Sequence, residues 1–575
     1  MRARLLVAGL AAALFAVSFA GADELQDLGR DFWSWRAVYQ PVSDDDIPRI
    51  ERPEGWVPVW TRASIEKRRR DLAAFEERLG RIDATGMPVA WKVDRRLLRS
   101  AFARVRWELD VERGWERNPA FYVTQTLGAL LDVLLPPPPF SKARGTRILR
   151  QLEAIPATIE SARGNLVPAA APFARLAIAA LADVRPRLHK TAAELAPLLP
   201  PESAKEIAAA AEKAVASLEG FRDWLGNRAP TLRVQTAVGR EGYLYFLRNV
   251  ALIPETPEEL LAMGRQEWAR AVARETMEET RDAGLPALPL FADQAAQIAR
   301  GDEDEALVRQ FLERRKILTV PGAVRRYRQR PLPAYLAPLA GIGEMDDFAS
   351  PSRLSDEAWR YIPVPGPGLG YFDLSAARDP RPGLVHEGVP GHAFQLALSW
   401  AHEDPIRRHY YDSGANEGIA FYAEEMLLDA GLFDDRPRAR GIIASYMRLR
   451  ALRVEVDVQL ALGRFTIDQA ADYLARTVPM DAASAREEAA AFASTPGQAI
   501  SYQIGKVQIL RFLADARRER GEKFSLRDFH DFLWKNGNVP IALLRWEYLG
   551  LDDELVRVDR VPVPPPAARP ERLPG

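Results

Sequence analysis

Two histidines six residues apart, His386 and His392, constrain the backbone more than any other feature of this 575-residue chain. At about 100° per residue, a regular helix would place the second imidazole roughly 120° around its axis from the first. Between them stand Gly388, Pro390 and Gly391. These residues interrupt helices readily, because proline lacks a backbone donor and glycine tolerates unusual dihedral angles. The segment therefore predicts a broken helix in which the two imidazoles converge.

Two carboxylates accompany the histidine pair: Glu387 directly follows His386, and Glu417 lies further along the chain. Two neutral imidazoles and one carboxylate are a ligand set that leaves a fourth position on Zn²⁺ open for water. His386, His392 and Glu417 are therefore the candidate ligands of one zinc ion, and Glu387 is the candidate general base. The alternative is that the histidines are unrelated residues near a turn, a rare coincidence in a chain with only 6 histidines.

The residues around Glu417 have helical character and carry a second acidic position at Glu424. A separation of seven residues places both carboxylates on nearly the same helix face. Glu417 would then bind the metal, and Glu424 would orient a metal-bound histidine from behind. The alternative is that Glu424 and Glu425 form a solvated face of the helix.

Three blocks of the chain together resemble a known family: residues 386–395 (HEGVPGHAFQ), 416–425 (NEGIAFYAEE) and 494–506 (STPGQAISYQIGK). They look like the signature blocks of the family called domain of unknown function 885 (DUF885), which is grouped with the gluzincin-type metallopeptidases. The resemblance implies a largely helical, zinc-dependent peptidase-like fold with the three ligands and the base named above. Many members carry another histidine directly after the first block, where this chain has Ala393, so any role of that imidazole is absent here.

The third block supplies further candidates. Hydrolysis at zinc builds an oxyanion that benefits from a fixed hydrogen-bond donor opposite the metal. Tyr502 is the candidate donor, and Lys506, four residues later, would share its helix face. Lys506 and Gln498 are candidate substrate contacts. The alternative is that Tyr502 packs in the core and Lys506 is solvated, but the resemblance favours the functional interpretation.

A segment rich in turn residues precedes the first block at residues 364–374 (VPGPGLGYFDL). In helical zinc peptidases, an extended segment beside the site can pair with the substrate backbone as an added strand. Tyr371 is the candidate substrate contact in this segment. The alternative is an ordinary loop.

The composition is that of a globular chain and excludes some partners. The sequence is 47% hydrophobic and 27% charged, far from the profile of a disordered protein. Lysine and arginine total 78 against 79 for aspartate and glutamate, so no overall basic field supports nucleic-acid binding. With no cysteine in the chain, disulfides, thiol catalysis and a lipid-bearing cysteine are excluded.

The first 22 residues are typical of a secretory signal peptide. A positively charged start precedes an apolar stretch from Leu5 to Phe19, and the small residues Ala20, Gly21 and Ala22 follow it. Export to a bacterial periplasm is the expected destination, and an uncleaved N-terminal membrane anchor is the alternative. No later stretch approaches about 18 consecutive apolar residues, so no membrane association is expected once the leader is removed.

Helical periodicity extends through the rest of the chain, and strand signals are few and short. We expect a mainly α fold, a large helical metallopeptidase-like bowl with a central cleft and little β structure. Residues 23–330 are expected to form a helical N-terminal half and residues 331–560 the catalytic, metal-binding half. Residues 561–575 are expected to form a proline-rich tail.

Two predictions concern residues outside the three blocks. Among the remaining histidines, His409 could still reach the site, whereas the others are expected to be structural. Arg453 and Asp457 are four residues apart. They are therefore interpreted as a helix-surface ion pair rather than as part of a clamp for a substrate carboxylate.

The sequence predicts an exported peptidase that uses one Zn²⁺ ion, with Glu387 as general base and Tyr502 as oxyanion donor. Peptides are the expected substrates. The alternatives are a catalytically silent periplasmic binding protein of the same fold and a zinc hydrolase of a non-peptide amide or ester. Retention of Glu387 argues against the binding protein, because holding a metal requires no base. The sequence does not predict the oligomeric state.

Overall fold

The computed structural model describes residues 23–43, 50–560 and 563–565. The predicted mainly α fold with little β structure is confirmed for these residues. The predicted leader, residues 1–22, and all of the predicted tail except residues 563–565 lie outside the described residues. Within the described residues, no helix is both long and apolar enough to cross a membrane.

The first half of the chain is built from helices of very different lengths. The α-helices are α1 (23–39), α2 (Arg62–Arg81), α3 (Val89–Arg106), α4 (Gly114–Arg117), α5 (Pro119–Val123), α6 (Ala129–Leu134), α7 (Lys142–Asn165), α8 (Ala171–Ala180), α9 (Val184–Leu195), α10 (Pro201–Arg228), α11 (Gly239–Tyr245), α12 (Pro257–Arg281) and α13 (Gln294–Arg314). Wider π-helical turns continue three of them, at Trp107–Glu112, Thr124–Gly128 and Phe246–Val250. Thr256 and Glu259 form a reciprocal capping box at the start of α12, as expected for a threonine followed by an acidic first turn.

The second half contains the strands and the remaining helices. They are β1 (Tyr327–Pro331), β2 (Asp346–Asp347), β3 (Ala358–Ile362), α14 (Tyr371–Ala376), α15 (Arg381–Glu387), α16 (His392–Trp400), α17 (Pro405–His409), α18 (Ser413–Asp429), α19 (Pro437–Ala461), α20 (Ile467–Thr477), α21 (Ala482–Ser494), α22 (Ala499–Arg520), α23 (Leu526–Lys535), α24 (Ile541–Leu549) and α25 (Asp553–Asp559). The three strands form one small sheet in the order β1-β3-β2. Strand β3 is parallel to β1 and antiparallel to β2.

The segment 364–374, predicted as a possible added-strand edge, is not a strand. The strand β3 ends before it, and its second part folds into α14. Pro365 and Pro367 lack the backbone donor that a strand ladder needs, which explains why the strand does not continue. At Trp359 and Arg360, β3 already pairs with a neighbour on each side, so it has no free edge there for a substrate.

One hydrophobic core joins the two predicted halves. The largest buried apolar cluster takes residues from α1 through α25 and therefore crosses the predicted boundary at residue 330. Long helices from each half also pack together, since α12 lies against α19. The division into halves, like the predicted bowl shape, stays a prediction about how the chain is organised.

Two long helices of the second half, α18 and α22, touch through their backbones. A Cβ atom built on Gly505 of α22 would overlap the carbonyl oxygen of Gly414, and one on Gly418 of α18 would lie 2.7 Å from the Cα of Gly505. Only glycine permits this approach, because any side chain would force the helices apart. The contact fixes α18 relative to α22, and both helices carry residues of the candidate site.

We expect Gly505→Ala to destabilise the protein by about 1–3 kcal/mol or more, because the added methyl group overfills the contact between α18 and α22. Chemical denaturation followed by circular dichroism measures the change. Gly226→Ala is the matched control, since this helical glycine has no atom within 4 Å of a built Cβ, and alanine there should be neutral or stabilising. Equal stability of the Gly505→Ala variant and the unmodified protein would contradict the packing argument.

Candidate metal centre

The predicted break between the two histidines is confirmed. Helix α15 ends at Glu387 and α16 begins at His392, so the four residues between them form a tight turn with a cis Val389–Pro390 bond. A Cβ on Gly391 would overlap the carbonyl oxygen of His386. The turn is held from outside by Trp534, whose indole Nε1 donates a hydrogen bond to the carbonyl of Pro390 at 2.7 Å.

The turn brings the three predicted ligands together. The Nε2 atoms of His386 and His392 lie 3.4 Å and 3.3 Å from Oε2 of Glu417. One ligand atom from each residue lies within 4.8 Å of the other two, and all three residues are buried. Bonds of about 2.0–2.1 Å to a tetrahedral zinc ion would place neighbouring ligand atoms about 3.3 Å apart, close to the two distances between the histidines and Glu417.

The missing hydrogen bond at one Glu417 oxygen is also compatible with a metal at this position. Oε2 of Glu417 is buried and accepts no well-directed hydrogen bond from the described residues, although both imidazoles are close. A buried carboxylate oxygen without a donor is costly, and a cation at the point where the three side chains converge would satisfy it. The donor set of two imidazoles and one carboxylate suits Zn²⁺ in particular.

The charges within the triad are strongly coupled. Burial and the nearby Arg450 oppose protonation of His386, but Glu417 and Glu424 outweigh them and raise the pKa of His386 to about 9. Burial opposes ionisation of Glu417, yet the two imidazoles hold the pKa of its carboxyl well below the usual value. Because imidazole must be neutral to bind a metal, metal binding at this site would release a proton.

Glu424 lies directly behind the first ligand. Its Oε1 is 2.7 Å from Nδ1 of His386, and the guanidinium of Arg450 lies 3.1 Å from the same carboxylate. With Nδ1 facing a carboxylate, the Nε2 lone pair of His386 is directed at the metal position. The alternative of a solvated face is wrong, because Glu424 and Glu425 are only 0% and 8% exposed.

The predicted base Glu387 faces an open cavity of about 220 Å³ together with the three ligands. Its carboxylate is 27% exposed, and Arg360 of β3 lies 3.9 Å from it. Arg360 is held by a 2.7 Å ion pair with the buried Asp346, which also accepts a hydrogen bond from the hydroxyl of Tyr327 at 2.7 Å. Glu387 is thus both accessible and placed beside an anchored cation.

Tyr502 and Gln498 both line this cavity. The Tyr502 ring lies nearly parallel to that of His386, with 6.1 Å between centroids and 10° between planes. The guanidinium of Arg453 lies 4.5 Å from the centre of the Tyr502 ring. The tyrosine is therefore held between an imidazole ligand and a buried arginine, on the cavity side.

Three other predicted residues are not among the described residues that line the cavity. Lys506 is buried and forms a 2.6 Å ion pair with Glu425. The Tyr371 hydroxyl bonds to that of Ser445 at 2.7 Å. His409 is not part of the ligand group. The alternative that Lys506 is solvated is wrong, since its side chain is 1% exposed.

The predicted surface pair of Arg453 and Asp457 is also wrong. Arg453 is buried and pairs with Glu488 of α21 through two hydrogen bonds, one of them at 2.8 Å. Asp457 is fully buried, where it accepts hydrogen bonds from the backbone of Gly497 and Ala499. Spacing of four residues is compatible with a pair, but both side chains find better partners in other segments.

Several lining residues were not found from the sequence. Arg360 and Glu344 come from the small sheet and the turn before it, and Glu488 comes from α21. Desolvation inside the cavity raises the pKa of Glu344 to about 7. None of these residues lies near a recognisable motif, so only the fold reveals them. Arg450 also lines the cavity, and its ion pair with Glu424 joins two helices that are distant in sequence.

Comparison with known proteins gives a family and two related folds. The family model described as "Bacterial protein of unknown function (DUF885)" matches residues 49–547. A candidate lipoprotein of unknown function from Shewanella oneidensis has a similar structure, with a TM-score of 0.66 at 17% identity over 92% of this chain and 98% of that one. A candidate lipoprotein from Colwellia psychrerythraea gives a TM-score of 0.72 at 16% identity, with the same coverage of 92% and 98%. No curated protein matches the chain.

We expect Glu424→Gln to weaken zinc binding by about 10- to 100-fold, because the substitution removes the charge that orients and polarises His386. Competition with a fluorescent zinc chelator measures the dissociation constant. Glu425→Gln on the same helix is the control: it disrupts the pair with Lys506 and should lower thermal stability while leaving zinc affinity unchanged. Zinc binding that responds equally to both substitutions would contradict the assigned geometry.

Proposed function

We propose that this chain, which belongs to the bacterial DUF885 family of proteins of unknown function, is a zinc-dependent hydrolase of peptide bonds. The observation that carries the proposal is the convergence of His386, His392 and Glu417 beside the accessible carboxylate of Glu387. Neither the family nor the related structures come with an activity, so the proposal depends on the chemistry of these side chains. The resemblance of the three sequence blocks to DUF885 supports it, because that resemblance implies a peptidase-like fold of the gluzincin type.

The three ligands favour a site of the catalytic kind. Three protein ligands leave a coordination position open, whereas structural zinc sites are usually closed by four. When bound, zinc supplies the Lewis-acid and water-activating chemistry of metal hydrolases. The ligands face a cavity that a substrate can enter, which is the property a structural site lacks.

Glu387 is suited to move the proton. Its carboxylate takes a proton from the attacking water and later delivers it to the nitrogen of the leaving amine. Arg360, anchored on Asp346, lies 3.9 Å from this carboxylate. The presence of the Glu387 carboxylate beside the three candidate ligands supports catalysis over metal storage, because storage requires no base.

Tyr502 is suited to stabilise the developing charge. Its hydroxyl would donate a hydrogen bond to the oxyanion formed at the scissile carbonyl. The ring is held by His386 on one side and by the cation of Arg453, so little reorganisation is needed when the charge develops. Gln498, one helical turn earlier, is placed to contact the substrate beside it.

We also propose that the protein is exported. The N-terminal sequence is typical of a signal peptide, and two proteins of similar fold are named as candidate lipoproteins. This chain has no cysteine, so a cysteine-linked lipid is not available to it. Peptides and protein fragments outside the cytoplasm are then the proposed substrates.

We expect Glu387→Gln to lower kcat by a factor of about 10² to 10⁴, because the amide cannot accept the proton. Digestion of a peptide library by zinc-loaded protein, followed by mass spectrometry, measures the loss. The variant should retain zinc stoichiometrically, since Glu387 is not a ligand. Cleavage that persists in the variant would show that another group is the base or that the activity is a contaminant.

Tyr502→Phe should lower kcat by about 10²- to 10³-fold with little change in KM, because the lost donor acts mainly on the transition state. Steady-state kinetics on a peptide identified in the library digest separates the two constants. Tyr371→Phe is the control, because this hydroxyl bonds to Ser445 instead of facing the cavity. Equal kinetic effects of the two substitutions would argue against the role of Tyr502.

The same digest distinguishes the competing functions. A binding protein of the same fold would hold zinc and peptides without cleaving them. A hydrolase of other amides or esters would leave peptides uncut and unbound, but would cleave small amide or ester substrates in a Glu387-dependent manner. Zinc with Glu387-dependent peptide cleavage supports the peptidase.

A further inference from the structure

The metal cavity adjoins a second cavity that the proposed mechanism does not use. The second cavity has a volume of about 180 Å³ and is formed largely by the N-terminal half of the chain. The two cavities share Thr495 and Gln498 in their walls. The two cavities therefore meet at these two residues.

The boundary between the cavities lies close to the reaction centre. Gln498 precedes Tyr502 by four residues at the start of α22, a rise of about 6 Å along a helix. The loop that carries Gln498 is fixed, since the buried Asp457 accepts hydrogen bonds from Gly497 at 3.0 Å and Ala499 at 2.9 Å. Gln498 is thus held at the boundary between the two cavities.

The second cavity has a cationic group in its wall, the guanidinium of Arg104. It projects from α3 into the cavity wall and lies 5.9 Å from the ring of Phe246. A Cβ on Gly497 would overlap this same ring, so Phe246 connects Arg104 to the boundary loop. Among the described residues, the Arg104 guanidinium makes no hydrogen bond and no ion pair within 4.0 Å.

Other charged groups of this wall are already engaged. Glu108 pairs with Arg36 through two hydrogen bonds, one of them at 2.8 Å. Arg52 donates to the carbonyls of Gln40 at 2.8 Å and Ala37 at 3.1 Å. Residues 44–49, which connect two residues of this wall, lie outside the described part of the chain. The charge of Arg104 acts at longer range on the buried carboxyl of Asp412, where it opposes the burial that raises the pKa of Asp412 to about 6. Without a hydrogen bond or close ion pair among the described residues, Arg104 is the cation of this wall that an anion could still bind.

We propose that the second cavity receives one end of a peptide substrate and that Arg104 binds its C-terminal carboxylate. A planar guanidinium can bind a carboxylate through two parallel hydrogen bonds, and aromatic neighbours such as Trp107 and Phe121 would cover the side chains of that end. The inference rests on the proposed peptidase function. It makes a free C-terminal carboxylate a specificity determinant and sets a limit on how far the substrate extends beyond the scissile bond.

Binding tests this inference without requiring turnover. Zinc-loaded Glu387→Gln protein is immobilised and exposed to one pentapeptide library prepared in two forms, with a C-terminal carboxylate and with a C-terminal amide. Mass spectrometry of the retained peptides gives the ratio of the two forms. We expect the carboxylate form to be retained about tenfold or more over the amide, as is typical of a charge-assisted hydrogen-bonded pair.

Adding Arg104→Met should reduce this ratio to about one, and Arg104→Lys should restore part of it. Arg99→Met is the matched control, because Arg99 lies on the same helix, is exposed and does not line the cavity; its ratio should equal that of the parent. Circular dichroism verifies that each variant is folded. If Arg104→Met does not fold, the retention ratio of Arg104→Lys is compared with that of the parent instead.

Retention of both forms equally by the parent, a ratio unaffected by Arg104→Met, or retention of neither form would each overturn the inference. The proposed function fails by a different result, namely the absence of Glu387-dependent cleavage. Peptides retained through Arg104 without cleavage would leave the carboxylate site in place and exclude the peptidase. Glu387-dependent cleavage without a preference for the carboxylate form would support the peptidase and exclude the carboxylate site.

Discussion

The close contact between Gly391 and the carbonyl of His386 is the constraint on which the site depends. A residue with a side chain at position 391 would overlap that carbonyl, so the chain could not reverse tightly enough to start α16 at His392. In a straight helix, two histidines six residues apart would point in different directions. The turn brings their rings together, with 4.7 Å between centroids. The Trp534 indole, bonded to Pro390, ties this turn to a helix from the far end of the chain.

A second constraint, the close packing of α18 against α22, positions the candidate site residues that these two helices carry. Glycine contacts hold α18 against α22, and α18 supplies Glu417 and Glu424 while α22 supplies Tyr502. The third ligand, the orienting carboxylate and the candidate oxyanion donor are therefore fixed relative to one another by a single helix pair. Rigid placement of this kind is what electrostatic stabilisation of a transition state requires, since the groups need not reorganise as charge develops.

Local sequence patterns identified the three candidate ligands but not the residues that surround them. His386, His392 and Glu417 were predictable because each lies in a short block whose spacing has a geometric meaning, and Glu424 followed from helical periodicity. Arg360 was not predictable, because its partner Asp346 pairs with it across a sheet. The pairing of Arg453 with Asp457, and the alternative of a solvated Lys506, were wrong for a related reason. Helical spacing shows which residues share a face, but not which distant segment covers that face.

The central claim is that the three side chains share one cation, and anomalous diffraction from crystals grown with zinc tests it most directly. Data collected on both sides of the zinc absorption edge should give one strong peak about 2.0–2.2 Å from Nε2 of His386, Nε2 of His392 and a carboxylate oxygen of Glu417. The peak should be absent below the edge. No peak at this position under saturating zinc, or a peak bound by other residues while these three stay apart, would contradict the account.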